Sequence, residues 1–217
     1  LSTHIQRHLD NEGRFNLSLA DSSIDTWVDG YGRGTPRRRV SIYVEGALVS
    51  LICDIKIMKA TKGKKGLSDA MRVLYEKYGA KKGFTEAEYW AELESLADID
   101  WKTLREDLID STGKLETYLD DAFAEMGLSL TANASVKPWE KEWGVSIQNV
   151  NGNWEVYNVL KNSPAEKVGM WFGDKVTEIN GMLPDAFFAE ATPNNMNGIS
   201  VSLQSGLRTK TVSPKTD

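Results

Sequence analysis

The apolar positions of this chain follow two different rhythms. From about residue 20 to residue 128 they recur at three- and four-residue steps, the spacing that gathers side chains onto one face of an α-helix. In "RVSIYVEGALVSLICDIKIMKA" the series Val44, Ala47, Leu48, Leu51, Ile52, Ile55 and Met58 marks one buried face. Gly46 weakens that helix by about 1 kcal/mol relative to Ala, so a tight packing contact is expected there. "TKGKKG" breaks the helix. "LSDAMRVLYEKYG" starts with Ser68 as its expected cap and stops at Gly79. "FTEAEYWAELESLAD" opens with Thr85 and Glu88 at the spacing of a capping box. "IDWKTLREDLIDSTG" and "KLETYLDDAFAEMGL" add amphipathic segments, the latter closed by Gly127.

After residue 130 the rhythm changes. "LTANASVKP" is a polar link ending in Pro138, and short β-type runs follow. "WGVSIQNV" and "WEVYNVL" flank Asn151-Gly152, a strong hairpin signal because both turn positions favour positive φ. "SPAEKVGM" is one short helix, "GDKVTEING" a strand ending in a second Asn-Gly turn, and "GISVSLQSGLRTKTVS" a closing hairpin. The predicted architecture is α+β in two domains. An all-helical bundle occupies residues 1–130, a linker 131–138, and a small β-barrel or sandwich 139–217. No internal repeat or low-complexity tract is present.

Composition narrows the function classes. The 217 residues suffice for one large domain or two modest ones, and 41% hydrophobic with 26% charged residues is ordinary for a globular protein. A formal charge of −5 disfavours a nucleic-acid partner. No apolar run approaches the ~20 residues of a membrane span. The single cysteine, Cys53, sits in an apolar helical stretch and is expected as a small core residue. The chain begins at Leu1 inside a helical pattern without a signal peptide, so it reads as part of something longer.

"HIQRH" places His4 and His8 four residues apart, the spacing at which one helical face can grip zinc. A metalloprotease helix needs a glutamate after the first histidine as general base, and here that place holds Ile5. The two histidines are therefore expected as an exposed helical pair, with no metal. "GYGRG" at 30–34 lacks the lysine and spacing of a nucleotide loop and reads as a turn. Arg37-Arg38-Arg39 and the lysines 59, 62, 64 and 65 read as solvated charge. Asp69, Glu86 and Glu88 read as helix-start charges. The tryptophans, spread without period, read as core or edge packing.

Two resemblances bear on function. The second region, with the short helix Ser163 to Gly169, then Gly173-Asp174 and a strand closing on Asn180-Gly181, resembles the PDZ family, in particular its bacterial protease-associated kind. In that family a peptide C-terminus adds as a strand beside the first β-strand, and backbone N–H groups of the preceding loop hold its carboxylate. The resemblance assigns that loop to Trp143, Gly144 and Val145, with Ile147 facing the groove. "PDAFFAEA" is the only candidate for the groove's other wall, and it is short.

The first region resembles the glycyl aminopeptidase family of zinc metallopeptidases and, more loosely, thermolysin-like zinc aminopeptidases. The match rests on "SLADSSIDTWVDGYG" and on a Y-x-x-G at the head of a long helix, Tyr43, Val44, Glu45 and Gly46. A leucine-serine-acid helix start, Leu67, Ser68 and Asp69, follows. That family also ends in a PDZ domain. Its zinc ligands, an H-E-x-x-H and a glutamate on the next helix, lie upstream of the matched segment. The resemblance thus implies the second half of a peptidase domain from an enzyme that acts on peptides or proteins with small N-terminal residues. Zinc would belong to the intact enzyme and not to this chain, which is expected to be inactive alone. Tyr43 would aim its hydroxyl at the oxyanion, a role that suits a neutral phenol donating one hydrogen bond from a rigid ring. An extracytoplasmic setting, periplasmic or secreted, goes with the resemblance, though no residue here fixes a compartment. The alternative is a non-catalytic interaction protein whose PDZ-like groove binds peptide C-termini.

Overall fold

The structure is a computed structural model that describes residues 1–29, 37–79, 83–190 and 196–215. The chain divides into two compact units, Leu1–Thr131 and Ala132–Asp217.

The first unit is helical: α1 (Ser2–Leu9), α2 (Leu19–Asp29), α3 (Ile42–Ala60), α4 (Leu67–Tyr78), α5 (Glu86–Leu96), α6 (Trp101–Arg105) and α7 (Leu115–Glu125). A 3₁₀ turn, Glu12–Phe15, follows α1, and α6 runs on into a π-helical turn, Glu106–Asp110. The most apolar helix, α3, packs against α1, α2, α4 and α7. A helix enclosed on several sides needs no single apolar stripe. Val44, Leu48, Val49, Ile52, Cys53, Ile55 and Ile57 are therefore all buried, whereas Ala47 and Met58, expected in one buried face, are exposed. Among the described residues the expected tight contact at Gly46 is absent: a Cβ built there meets none of them within 4 Å.

Helix α4 begins two residues before the point where local signals place it. Its cap is Gly66 rather than Ser68, and the first N–H groups are satisfied by acids. Asp69 accepts from the Gly66 N–H at 2.9 Å, and Asp54, reaching across from α3, accepts from the Leu67 N–H at 2.7 Å. Helix α5 follows its local signal, with Glu88 accepting from the Thr85 N–H at 2.7 Å and Thr85 from the Glu88 N–H at 3.2 Å.

Among its described residues the second unit holds five strands, β1 (Val145–Val150), β2 (Asn153–Val159), β3 (Lys175–Ile179), β4 (Val201–Ser205) and β5 (Arg208–Val212), with the short helices α8 (Pro164–Lys167) and α9 (Pro184–Glu190). The strands pair antiparallel in the order β1-β2-β3-β4-β5. This is an open sheet with β1 and β5 at its edges, which corrects the expected barrel or sandwich. Closure would require β1 to pair with β5, and among the described residues these two strands do not pair. Asn151 and Gly152 have φ of 53° and 83°, so the β1–β2 turn is the primed type that matches strand twist. The core gathers Trp143, Val145, Ile147, Val156, Ile179, Val201 and Leu203, with Phe187 of α9 packed among them.

No helix among the described residues is long and apolar enough to cross a membrane. Cys53 is a buried free thiol in the core of the first unit, and burial pushes its pKa up to about 11. Trp101, Trp139 and Trp143 are core residues, but Trp27 on α2 departs from the expectation, standing 88% exposed.

Candidate functional site

Tyr43 is the second residue of α3. Ser41 caps the helix, its Oγ accepting from the Val44 N–H at 3.4 Å while its carbonyl accepts from the Glu45 N–H at 2.9 Å. The turn therefore presents two sides. Val44 and Glu45 point inward and are buried, and Tyr43 points outward, 65% exposed.

What holds the inward side overturns the expected exposed histidine pair. His4 is half-buried, and His8 is 1% exposed. The His8 Nδ1 lies 2.7 Å from Glu45 Oε1, and its Nε2 lies 3.4 Å from Glu116 Oε1. Arg14 donates from Nε to that same Glu116 oxygen at 2.8 Å and from Nη1 to the carbonyls of Leu9 and Asn11 at 2.9 Å each. Four charges of alternating sign thus connect α3, α1, α7 and the 3₁₀ turn.

Burial by itself would lower the His8 pKa, but the two carboxylates outweigh it and raise it to about 9. The imidazolium beside Glu116 outweighs that group's own burial, with Arg14 assisting, and holds the carboxyl down at about 2. At 3.4 Å the Nε2–Glu116 contact is an ion pair without a well-formed hydrogen bond. The sequence carried one hint of this. His8 stands three residues after Ile5, which packs against the core, so the two share a helical face. Glu45, Glu116 and Arg14 gave none, because their meeting depends on the packing of distant elements.

The residues described do not fit zinc. His8 already turns both ring nitrogens to the carboxylates of Glu45 and Glu116. Among the described residues no three His, Cys, Asp or Glu side chains converge to hold a metal.

The basic runs do local work. Arg38 reaches Asp25 at 3.4 Å, and the Arg37 carbonyl accepts from Asn16 Nδ2 at 2.9 Å. The Arg39 carbonyl presses on Gly13, where a Cβ would come within 2.3 Å of its oxygen. Lys59 pairs with Glu125, while Lys62, Lys64 and Lys65 are exposed. Glu86 pairs with Arg105 at 2.8 Å. "GYGRG" lies outside the described residues.

In the second unit, the proposed peptide loop turns its side chains inward. Trp143 is fully buried and its indole donates to the Met196 carbonyl at 3.1 Å; Val145 and Ile147 are buried beside it. Gly144 has φ of 66°, its N–H donates to the Glu140 carbonyl at 3.2 Å, and its carbonyl accepts from the Leu160 N–H at 2.9 Å. A Cβ there would lie 2.6 Å from that of Ser163. Phe188 of α9 packs between Trp139 and Trp154, with ring centroids 4.5 and 4.3 Å away. Outward, β1 offers the exposed side chains of Gln148 and Asn149 and its backbone edge.

Comparison with known proteins places this geometry in context. The model of the M61 glycyl aminopeptidase family matches residues 1–49, a stretch that holds α1, α2, His8 and the head of α3 with Tyr43 and Glu45. No curated protein matches the chain. The fold is shared with the crystal structure of an aminopeptidase N family protein from Idiomarina loihiensis, 19% identical, with a TM-score of 0.78 over 98% of this chain. This chain spans 40% of the length of that one.

Proposed function

We propose that this chain is part of a glycyl-aminopeptidase-like zinc metallopeptidase, with Tyr43 as the oxyanion donor. The observation that carries the reading is a coincidence of place: the family match over residues 1–49 includes the head of α3, where Tyr43 stands exposed. Zinc and its ligands belong, in this reading, to polypeptide beyond this chain. What the chain supplies is a phenol at the head of α3, aimed outward, able to donate to the oxygen that gains charge as the first peptide bond of a small-residue substrate is attacked. A hydroxyl is suited because it stays neutral at pH 7 and demands no counter-ion.

The test joins this chain to a zinc-binding half carrying H-E-x-x-H and measures hydrolysis of glycyl and alanyl peptides. Tyr43→Phe should lower kcat by about 10²–10³-fold with little change in KM. Undiminished kcat would remove the role. Turnover by this chain alone, with stoichiometric zinc, would overturn the division of labour.

The position of β1 at a sheet edge favours a second reading, capture of a peptide C-terminus by strand addition. Against it stand the Gly144 N–H, already bonded, and the inward side chains of Trp143, Val145 and Ile147. Titration with free-acid and amidated peptides separates the cases: saturable binding abolished by amidation supports capture.

A further inference from the structure

We infer that the charge chain Glu45–His8–Glu116–Arg14, buried at Glu45 and His8, is a positioning device for Tyr43, fixing the first turn of α3 and with it the direction of the phenol. The inference rests on the reading of Tyr43 given above, but its physical content can be tested without it.

The first turn of α3 keeps its backbone bond, the Ser41 carbonyl accepting from the Glu45 N–H at 2.9 Å, but its side-chain cap is weak. Its capping contact, Ser41 Oγ to the Val44 N–H, is 3.4 Å, beyond the usual range for such bonds. Gly46, with open space where a side chain would be, adds flexibility rather than packing. Glu45 supplies the missing restraint from elsewhere. Its carboxylate is buried and meets His8 Nδ1 at 2.7 Å, two residues from Tyr43. A purely structural need at position 45 would be met better by an apolar side chain, since burying a carboxylate carries a desolvation penalty that hydrophobic contact avoids. Directional charge contact gives something an apolar contact does not, a fixed angle for the turn.

The anchor is itself braced. Glu116 of α7 faces the other ring nitrogen of His8, and Arg14 holds Glu116 while binding the carbonyls at the end of α1. The same recess is lined by Asp107 of the π-helical turn and by Lys114, which pair with each other. The far end of α3 has a separate tie to α7, Lys59 to Glu125. That tie provides an internal control, the same two helices joined away from Tyr43.

The experiment places 3-fluorotyrosine at position 43 alone and follows its fluorine resonance at pH 7, together with amide exchange along α3. In His8→Gln, and in the isosteric Glu45→Gln, the resonance should shift and broaden. The amides of Val44 and Gly46 should then exchange about tenfold faster or more, with those of Ile55 and Ile57 changing less than about twofold. Lys59→Gln should leave the fluorine signal where it was. Should His8→Gln fail to fold, Glu45→Gln, which keeps one hydrogen bond to the imidazole, carries the measurement. An unmoved fluorine signal in the folded variants would overturn the inference, as would uniform loss of protection along α3 or an equal shift in Lys59→Gln. No readout here involves hydrolysis. A catalytically silent Tyr43→Phe would therefore sink the oxyanion role and leave the positioning result standing.

Discussion

In the sheet unit, backbone conformations set by neighbouring residues fix the turns; in the helical unit, charged side chains from distant elements tie the helices together. Asn151-Gly152 and Asn180-Gly181 turn the chain through positive φ, as do Gly144 before β1 and Gly169 after α8. Each is a decision taken within a few residues. The helical unit is tied otherwise. His8, Glu45 and Glu116 meet across three helices, Asp54 of α3 caps α4, and Lys77 of α4 grips the buried Glu92 of α5 at 2.7 Å. The two modes fail differently. A turn conformation is lost with its own residue, whereas a side-chain tie, once cut, leaves a buried charge behind.

The largest effect should come from cutting such a tie. His8→Ala leaves two carboxylates without their shared cation and should destabilise the helical unit by about 3–5 kcal/mol. Amide exchange resolved by unit should show little change in the sheet unit. A loss confined to a few tenths would mean that packing, and not charge, holds α1. Titration probes the same tie without mutation. The His8 pKa is raised from 6.5 to about 9 on folding, so its stabilisation is complete below about pH 6.5 and is lost as pH rises through about 9. Up to about 3 kcal/mol should disappear from the helical unit over that window, read by denaturant midpoints at successive pH values. On the acid side Glu116, lowered from 4.5 to about 2, contributes stability above pH 4.5 that is lost as pH falls towards 2.

The sheet unit offers the converse test. Gly144→Ala imposes both a left-handed backbone and a Cβ contact of 2.6 Å, and should lower that unit's stability by about 2–3 kcal/mol. Asp54→Ala, which removes the cross-helix cap of α4, should cost about 1 kcal/mol and speed exchange of the Leu67 amide most. Gly46→Ala should go the other way. With nothing within 4 Å of the added methyl, it should stabilise α3 by about 0.5–1 kcal/mol in thermal melts. Destabilisation there would reveal a neighbour that this arrangement does not contain.

These differences also explain which parts of the molecule were legible beforehand. The Asn-Gly turns, the Thr85–Glu88 cap and the Gly127 stop are local, and each occurs where its residues indicate. Ser68 does not cap α4 because Asp54 of α3, thirteen residues before Leu67, accepts from the Leu67 N–H instead. The face drawn on α3 was too narrow because a central helix is apolar on more than one side. The sheet stayed open because hairpin signals specify pairs of strands and say nothing about whether the first meets the last. His8 is the residue whose place the local pattern hides most. A histidine pair at helical spacing with its general base absent reads as surface, until a carboxylate thirty-seven residues on and another on α7 are brought to it.

By itself the amino-acid sequence determined the two rhythms, helical to about residue 128 and β beyond, and it marked Tyr43 at the head of the longest apolar helix. Those properties follow from periodicity and turn chemistry, which act over a few residues. Tertiary structure alone decided that Glu45 and His8 are buried partners, that Tyr43 faces outward from the turn they anchor, and that Trp143, Val145 and Ile147 belong to a core. Burial and charge pairing depend on which distant surfaces meet, and no local pattern encodes that meeting.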